Sequence, residues 1–255
     1  MGDPLRTVID DGQLSIAAQP IVDLSTSAAI MDELLLRVVG PGGVPESPVE
    51  LLKQAETRHA IGDLDRWVLA RAAQLAATGR AVSVNVSGRT LGEGDYSACV
   101  AEMLDLCAAD PALMTFELTE TAVTPDCDHA ARAAGQLEAL GCKLSIDDFG
   151  TGYASLTYLK RFPVHYLKID REFVADVTSN WRSQAIVSSI VQLAEKFGQQ
   201  TIAEGIESSA ALAALRELGV DFGQGFFIGR PQAVSDVTDS RCRAGALLLT
   251  SACQR

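Results

Sequence analysis

Short apolar runs that close on a carboxylate, an amide or a lysine recur along this chain, and helix-length stretches separate most of them. The runs are residues 81–87, 114–120, 143–148, 166–170, 200–206 and 222–228. Ahead of them, residues 14–24 and 30–39 flank a small polar break, Ser25–Thr26–Ser27, which is the pattern of a hairpin. Two opening strands and six that alternate with helices predict an α/β fold, a (β/α)8 TIM-type barrel. A doubly wound open sheet is the alternative. Helices over 129–140, 181–197 and 209–218 run into Gly141, Gly198 and Gly219, where left-handed C-caps are expected. Ser47, Pro48 and Glu50 read as the N-cap, N1 and N3 positions of an earlier helix. No linker-like shift in composition interrupts the 255 residues, so one domain spanning 1–255 is expected, with its core at about 14–235.

The ends of these runs carry the chemistry. Glu33 lies within the second strand, and Asn85 closes Val82–Ser83–Val84. Glu117 follows Phe116, Asp147 and Asp148 follow Ile146, and Lys168 sits inside 166–170. Glu204 follows Ala203, and Gln224 comes just after Phe222. In a barrel such positions converge on one rim, where catalytic residues of this architecture sit. Each residue taken alone has an ordinary reading: an outward-facing Glu, a capping Asn, a snorkelling Lys, or turn chemistry at Asp147–Asp148 ahead of Phe149–Gly150. Taken together they do not, because acidic groups are rarely buried unless paired or metal-bound. Five carboxylates with one amide oxygen suit hard, oxygen-seeking ions such as Mg²⁺ or Mn²⁺. Two such ions need a bridging ligand, and Asp147 is the natural candidate. A pair of ions roughly 4 Å apart can activate a water and stabilise both oxygens of an in-line phosphoryl displacement. Lys168 would add positive charge against the developing transition state.

Composition narrows the partners. The net charge is −12, and no cluster of Lys and Arg marks a surface for DNA or RNA polymers. An anionic substrate would have to be captured by something local and cationic, for which bound metal is the obvious candidate. The six cysteines include no C-x-x-C pair, and His59, His129 and His165 are scattered singly, so a zinc site is not expected. Asp3, Asp10 and Asp11 break up the start as a signal peptide, and no apolar run approaches membrane-spanning length. A cytoplasmic protein without membrane attachment is expected.

Several segments resemble motifs of the EAL family of cyclic di-GMP phosphodiesterases, in the family's order. They are Gln19–Pro20–Ile21–Val22–Asp23–Leu24, Glu117–Leu118–Thr119–Glu120, Asp147–Asp148–Phe149–Gly150–Thr151–Gly152–Tyr153 with Ser155–Leu156, Leu167–Lys168–Ile169–Asp170, Ala203–Glu204–Gly205–Ile206–Glu207, Gln224–Gly225 and Gly229–Arg230–Pro231. The resemblance implies a barrel whose first strand runs antiparallel to its neighbour, and a homodimer. It implies that Glu33, Asn85, Glu117 and Asp147 hold one ion, and that Asp147 and Asp148 hold the other. Glu204 and Lys168 would act on the second ion and the attacking water, either serving as base, with Gln224 hydrogen-bonding near the nucleophile. Gln19, Arg37 and Glu207 resemble substrate contacts, and Glu120 resembles the anchor of the 147–153 loop. The implied reaction opens cyclic di-GMP to the linear dinucleotide pGpG. Two other readings stand beside it: a catalytically silent receptor or protein-interaction module, and an unrelated Mg²⁺-dependent barrel enzyme. The chain departs from the family pattern in reading Glu33–Leu34–Leu35 where the family has a central Ala, and Ala17–Ala18 where it has an aromatic. The stretch between Arg37 and Asn85 is also short for the family.

Overall fold

The computed structural model describes residues 13–40, 45–57, 60–92, 94–119, 127–151 and 159–234. The hairpin forms as expected from β1 (Leu14–Asp23) and β2 (Ala29–Val39), paired antiparallel with Gln19 opposite Glu33. Its turn is held by Asp23, whose Oδ1 accepts from the backbone N–H groups of Ser25 and Thr26, each at 2.8 Å, and from the Ser25 hydroxyl at 2.6 Å. A two-residue strand β3 (Pro45–Glu46) follows, then α1 (Val49–Thr57), which starts on the Ser47–Pro48 signal, and α2 (Ile61–Ala76).

From there strands and helices alternate: β4 (Val82–Val86), the single turn α3 (Gly88–Gly92), α4 (Tyr96–Cys107), β5 (Met114–Thr119), α5 (Cys127–Ala139), β6 (Lys143–Phe149), β7 (Tyr166–Ile169), α6 (Arg171–Ala175), α7 (Trp181–Phe197), β8 (Gln200–Ala203), α8 (Ser209–Glu217), β9 (Phe222–Gly223) and a short β10 (Gln232–Ala233). Strands β2, β4, β5, β6, β7, β8 and β9 are successive parallel neighbours. β1 pairs antiparallel with both β2 and β9 and closes the ring. The result is a closed eight-stranded mixed barrel wrapped by helices, so the open-sheet alternative falls away.

Two strands are shorter than their sequences suggest. Residues 222–228 read as one apolar run, but the strand stops at Gly223. Gly225 starts a turn in which Ile228 and Gly229 donate back to the Gly225 carbonyl at 3.0 and 2.9 Å. Residues 200–206 likewise leave the sheet after Ala203, because Ile206 pairs with this turn instead: its N–H donates to Gln224 at 3.0 Å and its carbonyl accepts from Phe227 at 3.0 Å. The expected glycine C-caps are present, with Gly141, Gly198 and Gly219 at φ 97°, 69° and 84°.

Alternation along the strands sorts the barrel interior into layers. Ile21, Met31, Tyr166, Ile202 and Phe222 form an apolar floor, with the Tyr166 and Phe222 rings edge to face at 6.0 Å. Ser83, Thr115 and Ser145 are buried above it, each two residues ahead of a rim residue and therefore on the same face of its strand. The acidic residues come next, toward the carboxyl ends. Aliphatic outward faces of the strands pack against the helices in one large core that includes Val82, Val84, Leu144, Leu167, Val187 and Ile190. Cys99, Cys107 and Cys142 are buried thiols outside any disulfide among the described residues, and burial pushes the Cys142 thiol up to about 12, which makes it inert. No helix among the described residues is long and apolar enough to cross a membrane.

One cap departs from the glycine rule. Ala108 ends α4 in the left-handed conformation at φ 51°, where its Cβ is strained. Ala108→Gly is expected to raise the free energy of unfolding by about 1 kcal/mol, read from the urea midpoint at unchanged slope. A lower midpoint would show that the strain is absent.

Candidate active site

The rim side chains come from the seven parallel strands or the residue just past their ends, and from Gln19 on the antiparallel β1. At their centre is Lys168 on β7, with no solvent exposure. Its Nζ lies 2.5 Å from Glu117 Oε2, 2.6 Å from Glu204 Oε1, 3.2 Å from Asp147 Oδ1 and 3.6 Å from Glu33 Oε2. Burial alone would discharge the ammonium. The surrounding carboxylates, Asp147 and Glu117 foremost, outweigh it and hold the Lys168 pKa well above its ordinary value. Glu117 is fully buried on β5. Burial and the nearby Glu33 push its carboxyl well above the usual range against the pull of Lys168.

A second set of contacts runs across the hairpin. Gln224 Nε2 donates to Glu33 Oε2 at 2.7 Å and to Gln19 Oε1 at 3.1 Å. Asn85 Nδ2 donates to Glu33 Oε1 at 3.1 Å, and Gln19 Nε2 donates to the Gly229 carbonyl at 3.0 Å. Glu33 is thereby fixed from both sides. Gln224 Oε1 is buried with no partner among the described residues, an open acceptor inside the site.

Asp147 and Asp148 reach one site by a backbone irregularity. Successive residues of a regular strand point to opposite faces. Here Ile146 pairs with Leu167 and Phe149 with Ile169, three steps on β6 against two on β7, which is a bulge. Asp148 takes the left-handed conformation at φ 53°, which Asp tolerates better than most residues. Carboxylate oxygens of Asp147, Asp148 and Glu204 consequently lie within 4.8 Å of one another. Burial and the Asp147 charge push Asp148 up to about 6. Burial, opposed by Lys168 and reinforced by Asp147, pushes Glu204 up to about 7.

The raised Glu204 carboxyl has a measurable consequence. Its unfolded reference is 4.5, so between about 4.5 and 7 the folded protein holds a proton that the unfolded chain has released. Stability of chelator-treated protein should fall as pH rises through that window. Glu204→Gln should make the decline shallower in urea titrations, whereas an identical slope would separate Glu204 from it.

Most of the residues singled out from the sequence therefore meet: Glu33, Glu117, Asp147 and Glu204 around the Lys168 ammonium, Asp148 beside Asp147 and Glu204, and Asn85 and Gln224 on Glu33 with Gln19 bonded to Gln224. Arg37 lies further along β2, its Nη1 donating to the Leu36 carbonyl at 2.8 Å, and lines an adjacent cavity of about 590 Å³ with Asn85, Ser87 and Arg89. Glu207 is exposed three residues beyond Glu204 and joins none of these contacts. Glu120 and residues 152–158 of the following loop lie outside the described residues. Sequence reasoning missed Ser83, whose hydroxyl donates to Glu117 Oε1 in a short hydrogen bond. Its signal was available, since it sits two residues ahead of Asn85 on the same strand face.

The donor set suits hard divalent ions: every charged ligand is an oxygen, and Asp147 belongs both to the group around Lys168 and to the Asp148–Glu204 group. Comparison with known proteins agrees with this picture. The EAL domain model matches residues 3–231. The cyclic di-GMP phosphodiesterase NbdA of Pseudomonas aeruginosa is 35% identical over 238 residues, 91% of this chain and 30% of its own length. The signaling protein YkoW of Bacillus subtilis is 33% identical over 233 residues, 89% of this chain and 29% of its own length. Among solved structures, the PaMucR phosphodiesterase in complex with c-di-GMP superposes with a TM-score of 0.84 at 34% identity, covering 89% of this chain and 95% of that one. The barrel with its acidic rim is that of the EAL domain family, and this chain belongs to it. The chain spans about a third of the length of these two curated relatives.

Proposed function

We propose that this domain is a metal-dependent phosphodiesterase that hydrolyses cyclic di-GMP to pGpG. The observation that carries the reading is the completeness of the acidic rim: every position at which the sequence suggested a metal ligand is filled, and those side chains converge. Glu33, Asn85, Glu117 and Asp147 would hold one Mg²⁺ or Mn²⁺, and Asp147, Asp148 and Glu204 the other. When bound, such ions supply an activated water and charge neutralisation at the phosphoryl oxygens.

The chain's own side chains do the rest. Glu204 is placed to accept the proton of the attacking water, since its carboxylate lies beside those of Asp147 and Asp148 and its Oε1 is 2.6 Å from Lys168. Lys168, kept charged, faces negative charge that builds on the phosphoryl group. Gln224 offers its unpartnered Oε1 as an acceptor near the nucleophile. Arg37 supplies a cation on the cavity wall where a dinucleotide phosphate or base edge could rest. We read the domain as cytoplasmic and homodimeric.

Purified protein incubated with cyclic di-GMP and Mg²⁺ should give a single linear dinucleotide by chromatography, and chelation should abolish it. Undiminished turnover after exhaustive chelation rules out the metal mechanism. Tight binding without turnover under any divalent ion favours the silent receptor.

A further inference from the structure

The four carboxylates that Lys168 touches are not a random sample of the rim. Glu33 and Glu117 belong to the proposed ligand set of one ion, Glu204 to that of the other, and Asp147 to both. The two shortest contacts, 2.5 Å to Glu117 and 2.6 Å to Glu204, place the ammonium against one acid from each set. A carboxylate oxygen engaged at that distance directs a lone pair at the lysine. A metal ion on the same oxygen must share or displace it. Like charges packed into one buried site also repel, because little solvent intervenes to screen them.

The same geometry gives a reason for the lysine to be there. Four carboxylates gathered in a buried pocket cannot all stay ionised without a counter-charge. Lys168 provides one that is covalently tethered and fully buried.

We propose that Lys168 is a built-in competitor for the divalent ions, a tethered monovalent cation that weakens metal binding while holding the ligand carboxylates together. The inference rests on the functional reading only in taking this rim as the metal centre; the substrate does not enter it. Its consequence is reciprocal: removing the ammonium strengthens metal binding, and binding metal loosens the ammonium from Glu117 and Glu204.

The test is Mn²⁺ binding by calorimetry, without nucleotide, to the wild-type protein and to Lys168→Met. The variant should bind Mn²⁺ about tenfold more tightly or better, within the usual range of site coupling. It should also depend on the metal for its thermal stability more than wild type does. Equal or weaker Mn²⁺ affinity in the variant overturns the proposal. Because Lys168→Met could fail to fold, the wild-type protein provides a second reading. With ¹⁵N-labelled lysine side chains, titration with diamagnetic Mg²⁺ should shift the Lys168 Nζ resonance along the binding curve. A resonance that stays fixed while Mg²⁺ binds overturns the proposal without any variant. Neither measurement uses cyclic di-GMP. If both succeed and hydrolysis fails, the functional reading is lost and the competition stands.

Discussion

Asp147→Asn should lower turnover of cyclic di-GMP by about a thousandfold, and at least as far as Asp148→Asn. Losing one preorganised charge-stabilising group at a reaction centre costs about a hundred- to a thousandfold. Asp147 belongs to both acid groups: its Oδ1 is 3.2 Å from Lys168, and its carboxylate lies within the Asp148–Glu204 trio. Asn has the same shape, so packing is preserved and the loss is one of charge. Asp147 Oδ1 also accepts the Asp148 N–H at 3.1 Å, a bond that the amide oxygen of Asn can keep, so the bulge should survive. Initial rates at saturating Mg²⁺, with circular dichroism to check the fold, decide the matter. Near-normal turnover in Asp147→Asn together with loss in Asp148→Asn would move the bridging role to Asp148.

This prediction also marks where sequence reasoning ran out. Polar residues at strand ends were legible because alternation and strand length fix which positions face the barrel and which reach its rim. That logic placed Glu33, Asn85, Glu117 and Lys168 without a structure. It also put Asp148 among the rim carboxylates, but it could not say how that side chain turns to the side of Asp147, from which a regular strand would point it away. Only the bulge and the left-handed backbone at φ 53° bring the two carboxylates together, and nothing in the residue types Asp-Asp announces a bulge. The 222–228 run failed for a related reason: apolar content mimicked a strand, while Gly225 and four backbone hydrogen bonds fold it into a turn that locks onto Ile206. Ser83 was overlooked because a small hydroxyl in a strand carries little signal until the acid it bonds is known.

That turn is the basis of the second large expectation. Gly225→Ala should destabilise the protein by about 3 kcal/mol or more and remove most activity. A Cβ at Gly225 would lie 2.2 Å from both the N and the O of Ile206, and these are backbone atoms that cannot swing aside. Both are also committed, Ile206 N–H to the Gln224 carbonyl and its C=O to Phe227. Relieving the clash must therefore separate the turn from the end of β8, one strand carrying Glu204 and the other Gln224. Gln224 would lose its hold on Glu33 and Gln19, which span the hairpin. Urea unfolding and initial rates measured on the same preparation check both parts. A stable but inactive variant would locate the damage in the rim alone, and a stable, active one would show that the two backbones do not approach this closely.

The central claim, that the rim activates water against a phosphodiester, is tested most directly by turnover in ¹⁸O-enriched water. With Mg²⁺ and cyclic di-GMP, the linear dinucleotide should carry one solvent oxygen on its terminal 5′-phosphate, seen by mass spectrometry as a shift of about two mass units. Cyclic dinucleotide recovered intact after saturating exposure to enzyme and metal, or a linear product without solvent label, would contradict it.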